Sequence, residues 1–173
     1  MRMILTAVVM SVAASLCSAD ELSVDARALQ QQLAFRMPMA VRSWVMTEVQ
    51  RVRSDPQWEE RRVRVDAQAQ FAGQPVIGPD LDALVFLVYV EVVQQLDREI
   101  RRGQIRVEPA RKRAEKMPSA PSNTVAVVTN AVAEAIAQEQ QALTERRAKL
   151  AEHTDELGRQ LSPLSGTLLE NIR

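Results

Sequence analysis

The chain has 173 residues, with 22 basic side chains balanced by 22 acidic ones, one histidine and one cysteine. The balance excludes a global field that would draw the protein to nucleic acid or anionic lipid. A lone cysteine excludes an intrachain disulfide framework, so the fold must rest on packing or on oligomerisation.

The first residues are the most telling. Met1-Arg2-Met3 is a short positive start, Ile4 to Leu16 is an apolar run, and Cys17-Ser18-Ala19 is a small-residue end before Asp20. This three-part layout predicts a signal peptide over residues 1–19, cut after Ala19. The run is shorter than the ~20 residues that span a bilayer. Leu16 is too large for the position before a lipidated Cys17, so soluble export is favoured over a lipoprotein or an uncleaved anchor. No asparagine after Ala19 opens an Asn-x-Ser/Thr acceptor. With no disulfides either, the composition points to a periplasmic or secreted bacterial protein.

Residues 20–103 read as a helical core. Ser23 is placed to cap a first helix, and Leu29, Leu33, Met37, Val41, Val45, Val49 and Val52 recur at spacings of three and four, the apolar stripe of an amphipathic helix. Pro38 interrupts the stripe and predicts a kink or break near Arg36–Met39. Trp44 beside it is expected to pack in the core, and Asp55-Pro56 to end the helix. Val63, Val65, Ala67, Ala69 and Phe71 alternate with polar residues, a strand period, yet Arg, Ala and Gln are strong helix formers. We read this stretch as helix.

Gly73-Gln74-Pro75 and Gly78-Pro79-Asp80 mark a turn. The segment Leu81 to Val93 is interrupted only by Asp82 and Glu91, and Leu96 and Ile100 continue it at helical spacing. One helix from about Asp80 to Arg102, stopped by Gly103, explains both parts. Being apolar on all sides, it is expected to lie at the centre of the core. The fold class is therefore mainly α, a bundle of about four helices with a long, coiled-coil-like C-terminal helix. The alternative is α+β, with strands near 63–71 and 83–93.

Residues 104–122 read as a linker, with Pro109, Pro118 and Pro121. Across its start runs a basic cluster of Arg101, Arg102, Arg106, Arg111, Lys112, Arg113 and Lys116, opposed by Glu108 and Glu115. An anion or headgroup patch is the weaker reading of this cluster, because no aromatic residues are interleaved. A last helix and short tail fill residues 123–173, the helix running to about Gln160. Ile136, Leu143, Leu150, Leu157 and Leu164 recur every seven residues, joined by Leu161, while the companion positions Gln140, Arg147 and Thr154 are polar. Such a half-filled seam suits packing along another helix better than a two-stranded zipper. Ile136, Leu143, Leu150, Leu157 and Leu161 are the candidate interaction residues.

No catalytic set is legible. His153 sits between Glu152 and Asp155, which reads as a solvated face, and no Glu-x-x-His pair accompanies it. There is no Gly-x-Ser-x-Gly and no phosphate-cradling glycine loop. Asp80 and Asp82 fit a helix start, where carboxylates complement the dipole. The sequence thus predicts an exported, non-catalytic interaction or assembly protein without cofactor or metal, binding a protein partner or a second copy, and not nucleic acid. Two other classes stay open. One is a lipid-binding protein in which Leu81–Val93 opens out and Arg101–Lys116 meets headgroups, a peripheral membrane contact. The other is a small periplasmic enzyme with an unrecognised site.

Overall fold

The computed structural model describes residues 22–55, 57–116 and 123–173, and the side chains of these outside 104–133. The expected signal peptide and residues 117–122 of the expected linker lie outside the described residues, as do the side chains of Arg106, Arg111, Lys112, Arg113 and Lys116. Among the described residues the protein is mainly helical and has no strand. Five helices follow in order: α1 Val24–Arg36, α2 Met39–Ser54, α3 Glu60–Gln70, α4 Gly78–Lys116 and α5 Asn123–Leu161, then a 3-10 turn Ser162–Leu164.

Local chemistry sets most of the boundaries. The Ser23 hydroxyl accepts from the Ala26 amide at 3.2 Å, capping α1. Ser23 is itself anchored, its amide donating to Asp155 Oδ1 at 2.9 Å. Met37 and Pro38 are extended, so the proline produces a full break between α1 and α2. Asp55 closes α2, and its carboxylate accepts from the Gln57 amide. Gly73 turns the chain at φ +88°, a conformation that suits glycine. The strand alternative fails at both places, since 63–71 falls in α3 with its C-cap and 83–93 lies within α4.

α4 is the axis of the core. Every residue from Ala83 to Val90 is buried, as are Val92, Val93 and Leu96. A helix covered on all sides needs neighbours on all sides. α2 and α3 pack on it through Val41, Val45, Val49, Val52, Val63 and Ala67, while α1 brings Ala26, Leu29 and Leu33. α5 runs antiparallel along it. Gly158 lies beside Phe86, Arg147 reaches Asp97, and Gln140 faces Gly103. Because Leu81–Val93 forms this centre, its opening toward lipid would dismantle the core.

The chain departs from expectation at Gly103, which does not stop the helix. α4 runs on to Lys116, 39 residues in all, and carries Pro109 within it. Gly103 lacks the positive φ of a C-terminal cap, and its missing Cβ leaves room for Gln140 of α5. Pairing with α5 outweighs the local stop signal. At ~1.5 Å per residue α4 and α5 are each roughly 58 Å long, well beyond a small core. Both run past the end of α2 as a two-helix hairpin. Among the described residues no helix is long and apolar enough to cross a membrane.

After α5 the tail folds back. Leu168, Leu169 and Ile172 are buried, and the buried Asp80 carboxylate holds them in place. It accepts from the amide of Leu169 and from Asn171 Nδ2, each at 3.0 Å, and from the Ile77 amide at 3.3 Å. Asp80 therefore anchors the tail as well as opening α4.

Candidate interaction site on the helical hairpin

The seam of α5 changes character along its length. At its C-terminal end Leu161 and Leu157 are buried in the core, 2% and 5% exposed. Leu150 and Leu143 are half-buried against that core. Ile136 is 36% exposed, and all residues from Glu134 to Glu139 are exposed. Leu164 lies beyond the helix in the 3-10 turn and is also exposed. One stripe thus begins inside the fold and emerges on its surface.

The polar companions of the stripe face inward too. Thr154 is fully buried and its hydroxyl donates back to the Leu150 carbonyl at 2.6 Å, satisfying itself within the helix. Arg147 is 4% exposed and its Nε lies 3.3 Å from Asp97 Oδ1, an ion pair across the α4–α5 contact. Arg146 donates to the carbonyls of Val52 and Arg53, meeting orphan acceptors at the C-terminus of α2. Of the polar seam positions, Arg147 ties α5 to α4, while Thr154 is satisfied within its own helix.

Of the expected basic patch, only Arg101 and Arg102 have described side chains. Arg101 pairs with Asp97 at 2.9 Å, Arg98 with Glu91 at 2.8 Å, and Arg53 with Glu99. Arg102 stands at the rim of a shallow depression beside Arg53, Gln95 and Glu99. His153 is not on a freely solvated face. Its ring meets Tyr89 edge-on at 5.2 Å, and Nε2 lies 3.2 Å from Glu60 Oε2. Burial, with the charge of Glu60, pushes the Tyr89 phenol up to about 12. Arg64 bonds both Glu60 and Asp82, so the acids near His153 are engaged in holding α3 to α4.

A second polar cluster was not read from the sequence. Glu48 of α2 is fully buried. Arg51 Nη1 donates to Glu48 Oε1 at 2.5 Å and to Asp66 Oδ2 at 2.9 Å. The Trp58 indole donates to Glu48 Oε2 and the Trp44 indole to Asp66 Oδ2, each at 3.2 Å. The guanidinium groups of Arg51 and Arg62 lie 5.8 and 5.5 Å from the Trp58 ring centre, within cation–π range. Burial and the nearby Asp66 charge raise the Glu48 carboxyl above its ordinary range, against the pull of Arg51. The signal was present: Glu48 follows Val41 and Val45 at helical spacing, so it had to point inward.

Both indoles, both carboxylates and Arg51 bond one another, and the cluster therefore serves to lock α3 on α2. Among the described residues no three His, Cys, Asp or Glu side chains converge as metal ligands would. The sequence matches no protein-family model and no curated protein, and the fold matches no solved structure.

Proposed function

We propose that this chain is a non-catalytic helical interaction or assembly protein, exported to the bacterial envelope or exterior, whose contact surface is the hairpin of α4 and α5. The observation that carries the reading is the emergence of the leucine stripe from the core at Ile136. The fold uses Leu157 and Leu161 for itself and leaves the continuation of the same stripe in solvent. An apolar stripe on a long helix is the ordinary means by which one helix recognises another. The export part rests on the signal-peptide layout of residues 1–19.

A second copy of the chain is the partner we favour, because the exposed stripe belongs to a helix that already packs antiparallel along a neighbour. A photoreactive benzoylphenylalanine in place of Ile136, in the purified protein, is expected to give covalent dimers on illumination. Products confined to single chains would remove the self-assembly reading.

A further inference from the structure

The break between α1 and α2 exposes side chains that the fold does not use. Phe35, in the last turn of α1, is 93% exposed, and Met39, the first residue of α2, is 77% exposed. The other two phenylalanines of the chain, Phe71 and Phe86, are buried. The inward face of α1 is Ala26, Leu29 and Leu33, which leaves Phe35 turned away from the core. Met46, two turns along α2, is exposed as well.

Charge at this elbow has one sign along the chain. No acidic residue occurs between Asp25 and Glu48, an interval that holds Arg27, Arg36 and Arg42. Arg36 Nη1 donates to the Gly166 carbonyl at 3.2 Å and lies 4.0 Å from Glu170, an acid that the tail brings beside it. Arg42 is exposed one turn from Met39.

A ring exposed to this degree stands on a convex surface, and two such side chains at an elbow offer little of the ~800 Å² that a stable protein partner covers. A bilayer surface makes no such demand. Apolar side chains sink to the acyl boundary while neighbouring arginines meet the phosphates, and anionic lipid strengthens both contacts. We propose that the α1–α2 elbow, with Phe35 and Met39 as the inserting side chains and the exposed Arg42 at the headgroups, docks on an anionic lipid surface. This places membrane contact away from the core helix and from the Arg101–Lys116 segment, and it does not depend on self-assembly.

The test is the full chain carrying Phe35→Trp, with its circular dichroism compared to wild type to confirm an unchanged fold. Vesicles of phosphatidylcholine and phosphatidylglycerol, with acyl chains brominated or not, are the probe. The added indole is expected to shift to the blue and to be quenched by brominated chains, beyond any change of Trp44 and Trp58 in wild type. Adding Arg42→Gln or raising salt is expected to weaken binding severalfold. Sedimentation with vesicles without quenching of the new indole would mean that another part of the chain binds, and would overturn the proposal. So would equal quenching by phosphatidylcholine alone, or a blue shift that follows protein concentration without lipid, which would mark a protein contact.

Discussion

Gly158 of α5 lies against Ala26 of α1 so closely that a Cβ on the glycine would come within 3.3 Å of the Ala26 Cα and 3.4 Å of Phe86 Cε2. Two small residues let three helices meet at one point. Gly158→Ala would gain about 1 kcal/mol of helix propensity but must push backbone apart, at a cost of about 1–3 kcal/mol. The expected result is a net loss near 1 kcal/mol in denaturant unfolding. Gly103 is the control. Among the described residues a Cβ there meets the end of the Gln140 side chain, at 3.0 Å, which can swing aside. Gly103→Ala should therefore be neutral or stabilising by up to about 1 kcal/mol. Equal effects of the two changes would contradict the close α1–α5 contact.

Asp80 is expected to hold the tail. Hydrogen bonds to a buried charged group contribute about 1.5–3 kcal/mol each, and Asp80 accepts three, two of them from the tail. Asp80→Ala should release residues 165–173 to proteolysis and hydrogen exchange before the helices unfold, with a total loss of about 3 kcal/mol. Protection of the Leu169 amide unchanged from wild type would contradict this role.

Glu48 gives a pH dependence of definite sign. Its folded carboxyl is raised above the unfolded value by burial and by Asp66, so the folded state holds the proton more tightly. The stability penalty is absent below the ordinary carboxylate range and grows as pH rises through the raised value. Glu48→Gln keeps the shape and removes the titration, so its stability should fall less than that of wild type between mildly acidic and neutral pH. Chemical denaturation followed by the emission of Trp44 and Trp58 would report it, since each indole bonds one carboxylate of the cluster. A parallel pH profile for the two proteins would contradict the assignment.

The periodic parts of the fold were legible because local chemistry and packing agree there. Ser23, Pro38 and Asp55 mark helix ends that the structure keeps. The stretch 63–71 looked ambiguous because its apolar residues serve two surfaces. Val63, Ala67 and Phe71 point inward at helical spacing, whereas Val65 is 58% exposed and Ala69 is also exposed. Gly103 and Pro109 misled because a stop signal is a local preference, and contact with a helix that follows in sequence overrode it at Gly103. The Glu48 cluster was hidden for a related reason. Its carboxylate is satisfied by Arg51 and Trp58, and its neighbour Asp66 by Trp44 and Arg51, pairings that no single-helix pattern reveals. For the interaction stripe, the repeat was visible at once, but only the structure divides it into an inward and an outward half.

That division predicts a separation of effects. Leu157→Ala empties a core position and should cost about 2–5 kcal/mol of stability. Ile136→Ala touches a surface position and should change melting little. Similar losses from both would mean that Ile136 is covered within the chain.

Light-scattering mass of the wild-type chain and of Ile136→Glu, side by side over a concentration series, tests the assembly surface most directly. A wild-type dimer or larger species that falls to one chain in the variant, with melting unchanged, is the expected result. A wild-type mass of one chain at every concentration, or an oligomer indifferent to Ile136→Glu, would contradict it.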